Sequence, residues 1–297
     1  MKNNTITLLL GILCLSVCTH AQVDAQADSL LQVLQTQQTP TTQKVTGTFA
    51  STRVINAQSV EMLQKGVLDF RILHRFGAVN NGFKDMFGLD VASMRMGFDY
   101  GLSNNLTIGI GRSTFLKEID GFVKYRIAQQ AQGKKEIPVS LVAVVGVVAN
   151  TLPLSETQLQ LYGNAQRMAY FAQVLIAKKV NKNISVQLSP TILHRNLVQN
   201  DISNNMLSVG VGIRQKITPH SAIVIDAFPQ LSGKVITDIM PLSIGIDIET
   251  GGHVFQLHFT NAVGMNEKAF LTQTTQQWQN GQFQFGFNLS RVFKVRH

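Results

Sequence analysis

Of the 297 residues, 14% are charged and 44% are apolar, and the formal net charge is +9. A soluble domain usually carries about 25% charged residues. The deficit argues against an ordinary soluble protein, and the thinly spread cations lack the dense patch or recognised module that nucleic-acid binding needs. Cys14 and Cys18 are the only cysteines, and both precede Gln22.

Residues 1–21 read as a secretory signal peptide. Lys2 gives the positive start, Ile6 to Val17 the apolar stretch, and Thr19-His20-Ala21 a small-x-small cleavage site. A lipoprotein signal around Leu15-Ser16-Val17-Cys18 is the weaker reading, because Val17 is bulky where a small residue is wanted. Cleavage removes both thiols, which excludes disulfides, cysteine nucleophiles and cysteine metal sites from the mature chain. Residues 22–47 form a Gln/Thr-rich linker, in which Leu30, Leu31 and Leu34 predict two helical turns over Ala27 to Leu34. Residues 48–65 are a lead-in or plug segment, with a short strand expected over Thr48 to Ile55 and a helical turn over Ser59 to Leu63 capped by Ser59.

Residues 66–297 repeat one unit, a stretch in which apolar residues alternate with small or polar ones before a turn. The last is the clearest. Phe283, Phe285, Phe287 and Leu289 fall on one face, and Gln284, Gly286, Asn288 and Ser290 on the other. Twelve such strands are predicted near 67–75, 91–100, 105–112, 119–128, 137–149, 169–179, 184–194, 206–217, 221–228, 239–248, 253–262 and 282–293. Short turns such as Ser103-Asn104-Asn105, Asn181-Lys182-Asn183 and Thr250-Gly251-Gly252 alternate with longer connections, except near Ser113 to Glu118. Lys178, Lys179 and Lys182 flank one of these turns and read as a solvated strand end. No apolar run after the signal is long enough for a membrane helix. The fold class is therefore all-β, an antiparallel transmembrane β-barrel of about 12 strands. The rhythm places both termini in the periplasm and the long loops outside. A soluble β-sandwich would explain the alternation but not this rhythm with so few charges.

Alternation turns Phe70, Met96, Phe98, Ile110, Leu207, Ile246 and their neighbours toward lipid. It turns Asp69, Arg71, Arg75, Arg95, Asp99, Asp120, Lys124, Arg126, Arg214, Asp226, Asp247 and His258 toward the lumen. Two readings of this inner face stay open: a polar pore or binding chamber, or a lumen filled by its own ion-paired side chains. Val142, Val144 and Val224 add an apolar inner patch suited to a plug, a packed lead-in or an apolar ligand.

Catalytic motifs are lacking. There is no His-x-Ser pair on a strand. His258 has only Thr260 at that spacing, while Asn261 points to the opposite face, so His258 is expected in a lumen polar network. No two histidines have ligand spacing on one face, and the Gly-x-Gly pairs lack the downstream glycine and helix of a phosphate loop. No enzyme activity, cofactor or metal is expected.

The lead-in carries a resemblance. Thr52-Arg53-Val54-Ile55-Asn56, Ser59-Val60-Glu61, Gly66, Asp69-Phe70-Arg71 and His74-Arg75-Phe76-Gly77 resemble a family of membrane-bound β-barrel proteins of unknown function from Gram-negative bacteria. Phe87-Gly88-Leu89-Asp90, the run Arg95 to Gly101 and Lys124-Tyr125-Arg126 are also similar. The resemblance implies an outer-membrane barrel and carries over no active residue. One departure is that Phe293 is followed by Lys294-Val295-Arg296-His297, whereas such barrels commonly end on an aromatic residue.

The expectation is a bacterial outer-membrane barrel, porin-like, acting as a passive channel or ligand-transport barrel for a small solute. The alternative is a plugged barrel that anchors or scaffolds a periplasmic partner. An outer-membrane enzyme is a lesser alternative. Expected partners are outer-membrane lipid and the barrel-assembly machinery.

Overall fold

The computed structural model describes residues 41–153, 155–156, 163–199, 201–233, 235 and 238–295. The expected signal peptide, the expected helical turns over Ala27 to Leu34 and the final two residues lie outside the described residues. The chain forms two compact units. The described part of the smaller one comprises residues 41–43 and 132–136, where Lys135 N–H donates to Thr42 Oγ1 at 3.1 Å. The larger unit, residues 44–131 and 137–297, is the barrel.

Its twelve long strands are β1 Val67–Ala78, β2 Ala92–Ser103, β3 Leu106–Ser113, β4 Glu118–Ala128, β5 Ser140–Asn150 and β6 Met168–Lys179, then β7 Ile184–Arg195, β8 Asn205–Lys216, β9 Ser221–Ala227, β10 Leu242–Thr250, β11 His253–Thr260 and β12 Gln284–Lys294. Each pairs antiparallel with the next, and β12 returns to β1 through pairs such as Leu289 with Ile72 and Arg291 with Phe70. The ladder therefore closes and leaves no long free edge, as a span through lipid requires. Val295 N–H donates to the Gly66 carbonyl at 2.9 Å, so the chain enters and leaves the barrel at one rim. We call it the terminal rim, and its opposite the far rim.

The twelve strands match the alternation of the sequence. Three boundaries differ because of proline, which has no N–H for the ladder. Pro138 delays β5 to Ser140, Pro229 follows the end of β9 at Ala227, and Pro241 delays β10 to Leu242. Along the strands burial alternates residue by residue, and the exposed set is apolar: Met96, Phe98, Ile110, Tyr125, Val145, Ile192, Ile246 and Leu257 all face outward. No helix of the described residues is long and apolar enough to cross a membrane.

The lead-in differs from its expected local structure. Thr48 to Ile55 forms no strand ladder, and Ser59 to Leu63 forms no helical turn. Arg53 and Gln58 form an isolated antiparallel bridge, Val54 N–H donates to Ala57 O at 2.8 Å, and Ser59 N–H donates to Thr52 O at 3.0 Å. The segment is a tight hairpin turn. Several of its other backbone groups bond to wall side chains, a partner set that no local pattern encodes.

A charge on the outward face should cost according to depth. Ile246 lies mid-strand and Ile217 just past the terminal-rim end of β8, and both are exposed. Ile246→Arg should destabilise the barrel by about 2–4 kcal/mol and Ile217→Arg by about 0–1 kcal/mol. Reversible denaturant unfolding in phospholipid bilayers measures both.

Candidate functional site: the filled lumen

The inward parity of the strands carries the charged side chains in three linked groups. Arg95 on β2 forks onto Asp120 on β4, with Nε to Oδ1 at 2.8 Å and an Nη to Oδ2 at 2.5 Å. Gly111 makes room for this fork, since a Cβ there would lie 2.2 Å from an Arg95 nitrogen. Arg71 meets Asp69 at 2.5 Å, and the other oxygen of Asp69 accepts from Ser290 Oγ at 2.6 Å. Arg214 lies 3.7 Å from Asp247 and also pairs with Glu249. Of the residues expected in the lumen, Asp69, Arg71, Arg75, Arg95, Asp99, Asp120, Lys124, Arg214, Asp226, Asp247 and His258 are all buried. Arg126 is half-buried at the terminal rim, 3.2 Å from Gln129. His258 is one of the buried set, and among the described residues neither of its ring nitrogens makes a hydrogen bond of good geometry.

The hairpin lies against this inner face. One oxygen of Asp226 on β9 accepts from three successive backbone N–H groups, those of Ile55 at 3.2 Å, Asn56 at 2.6 Å and Ala57 at 3.0 Å. Asn288 on β12 donates to Ile55 O at 3.1 Å, and Gln256 on β11 donates to Val54 O. Gln187 on β7 does both jobs, donating to Gln58 O at 2.7 Å and accepting from Val60 N–H at 3.0 Å. Among the described residues, Lys124 has no carboxylate contact of ion-pair length and instead donates to Glu61 O at 2.7 Å and Thr52 O at 3.3 Å. Arg75 reaches Asn56 Oδ1 at 3.0 Å, and Arg71 reaches Thr52 Oγ1 at 2.6 Å. Strands far apart around the wall therefore grip one short segment.

A second insert enters from the far rim. The connection between β11 and β12 folds inward and carries a short helix, α1 Glu267–Thr272, capped where Asn266 Oδ1 accepts from Ala269 N–H at 2.9 Å. Met265, Glu267, Ala269 and Phe270 are buried, and Glu118 at the far-rim end of β4 holds both Asn266 and Lys268. Glu267 meets the hairpin directly, 3.3 Å from Arg53 and 3.3 Å from Gln58. The two inserts thus touch inside the barrel.

Beside these polar contacts runs one apolar cluster. Val142, Val144, Phe171, Leu175 and Val224 of the wall pack with Phe49, Val54 and Ile55 of the lead-in and with Phe270 of α1. Cavities remain at the rims. One of about 430 Å³ at the terminal rim is lined by Ser51, Glu61, His220 and His253, and another of about 350 Å³ lies at the far rim. No group of three or more His, Cys, Asp or Glu among the described residues could hold a metal ion. Sequence reasoning missed the inward fold of the β11–β12 connection. The signal was its low charge, with Glu267 and Lys268 as its only charged residues beside Val263, Met265, Ala269, Phe270 and Leu271.

Among solved structures, the chain is similar to a NanC porin, with 10% identity, 77% of this chain and 100% of that chain covered, and a TM-score of 0.48. A KdgM porin matches at 9% identity over 76% and 99% of the two chains, TM-score 0.46. An outer-membrane channel from Pseudomonas putida F1 matches at 13% identity over 79% and 98%, TM-score 0.46. No curated protein matches the chain. The family described as membrane bound beta barrel domain (DUF5777) matches residues 49–293, which span the lead-in hairpin and all twelve strands, and the chain belongs to that family.

Proposed function

We propose that the protein is a gated passage of the bacterial outer membrane, exported by residues 1–21 and closed at rest by the Thr48 to Leu63 hairpin. The terminal rim then faces the periplasm, and a small solute crosses when the hairpin withdraws. No catalytic step is invoked.

The observation that carries this reading is how the hairpin is held. Much of its grip is polar: Asp226, Gln187, Gln256, Asn288, Lys124 and Arg75 each bond to its backbone or to Asn56, beside the apolar contacts of Phe49, Val54 and Ile55. Each neutral bond is worth about 0.5–1.5 kcal/mol net and each bond to a charged group about 1.5–3 kcal/mol, because water replaces most of it on release. A permanent filler would gain more from apolar side chains, since buried polar and charged groups are weak contributors to stability. Among the described residues, Arg75 Nε and Gln58 Oε1 at this contact have no hydrogen-bond partner. A buried polar atom left unpaired costs about 1–3 kcal/mol, which narrows the margin holding the closed state. Withdrawal would leave Arg75, Lys124, Asp99 and Asp226 lining a wet, charge-balanced path.

A second reading uses the same filling differently. A lumen closed for good, with the chain before residue 48 emerging at the terminal rim, could anchor a periplasmic partner through the Gln/Thr-rich linker.

Planar-bilayer recordings separate the two. Intact protein should conduct rarely, whereas replacing residues 48–63 by a Gly-Ser linker should give stable single-channel steps. A variant that folds, shown by heat-modifiable migration, yet stays silent would overturn the gate and favour the anchor. Intact protein that conducts as freely as the variant would also overturn it.

A graded test targets Asp226. Asp226→Ala removes the shared acceptor of three N–H groups and should raise open probability about tenfold or more, from the loss of charge-assisted hydrogen bonds. Asp226→Asn keeps an acceptor oxygen and should fall between Ala and wild type. Equal open probability for all three would refute Asp226 as a latch.

A further inference from the structure

The wall is interrupted where β8, β9 and β10 meet at the far rim. The last β9–β10 pair is Ala227–Leu242, followed by one bond from Phe228 N–H to the Pro241 carbonyl at 3.0 Å, and the intervening chain lays a short strand, Gln230–Ser232, along β8. The register shifts there between Leu207 and Ser208, and among the described strands Gln230–Ser232 has a neighbour on one side only. Pro229 and Pro241 flank the break, and neither can donate an N–H to close it.

The cavity of about 350 Å³ lies in this break, and eight of its eleven lining residues are apolar. Its inner wall is Met206, Phe228 and Leu271, all buried. Its lip is Leu231 and Met240, 59% and 43% exposed. The inner wall is held in place: the Phe228 ring packs on Phe270 at 4.7 Å and lies over Gly210, where a Cβ would fall 2.5 Å from the ring. Outside, Leu207 pairs with Ile192 and both are exposed, so the lipid-facing band continues up to the lip. A mostly apolar concavity of this size is what a small ligand site requires. Here the exposed lip residue Leu231 adjoins Ser232, which pairs with the outward Leu207.

We propose that this cavity is a lateral binding site for a single alkyl chain, entered from the membrane leaflet at the far rim. Pro229, Pro241 and the one-sided short strand form the entrance, and Met206, Phe228 and Leu271 contact the chain. Leu271 belongs to α1, whose Glu267 meets Arg53 of the hairpin, so an occupant touches the helix that contacts the hairpin. The site does not rest on the gate. Saturable binding to a barrel that never conducts would sink the gate and leave the site.

Trp278 supplies the probe. It is the only tryptophan in the chain, and its indole N–H donates to Leu242 O at 3.2 Å, one residue from Pro241. Full-length protein in vesicles of unbrominated phospholipid is titrated with a terminally brominated medium-chain fatty acid. Trp278 fluorescence should be quenched saturably, and unbrominated acid should reverse the quenching. Leu231→Asn with Met240→Asn alters only exposed lip positions and should weaken binding about tenfold through lost apolar contact. Quenching that rises without saturation, or that is the same in the double variant, would overturn the site. A second arm uses vesicles with brominated phospholipid tails. Quenching relieved by unbrominated fatty acid would assign the resting occupant as a lipid tail. Quenching not relieved, beside saturable binding of the free acid, would assign it as a free amphiphile.

Discussion

The barrel rests on one constraint: in lipid, every backbone N–H and C=O must find a partner within the protein. Pairing of β12 with β1 completes a ladder that would otherwise expose two edges. Closure then dictates the rest. Side chains must alternate between lipid and lumen, and the outward set must be apolar because a charge there is expensive. Charges are pushed inward, where Arg95 finds Asp120 and Arg71 finds Asp69.

A ring of twelve strands encloses more space than its own inward side chains fill. Glycines of the inner face leave room for larger neighbours, as Gly111 does for the Arg95 fork. The protein fills the remainder with its own backbone, sending a hairpin in from one rim and α1 from the other. Backbone inside a barrel brings its own unmet donors and acceptors, so the wall must supply polar side chains to match. Asp226, Gln187 and Asn288 do so. The inner face is therefore polar for two reasons, exclusion of charge from lipid and satisfaction of the inserts.

These two causes explain how much could be read beforehand. The parity that placed Asp69, Arg75, Lys124 and Asp226 inward is a local property of alternating strands. The same residues gave no hint of their partners. Lys124 suggests an ion pair, yet it bonds to the carbonyls of Thr52 and Glu61. The expected strand over Thr48 to Ile55 failed because propensity assumes a neighbouring strand, whereas this segment found separate side chains. His258 was placed inward by the same parity, but its hydrogen bonding depends on which neighbours the barrel brings near it.

Sequence alone determined the strand number, the closure and the inward sorting of charge, because lipid imposes a period of two that each strand must satisfy by itself. Tertiary structure alone decided that the lumen is occupied and by which segments. The contacts that hold the hairpin join residues far apart in the chain, with Asp226 lying 170 residues from Asn56 and Glu267 lying 214 from Arg53. Such pairs leave no periodic trace, and only closure of the barrel brings them within a hydrogen bond.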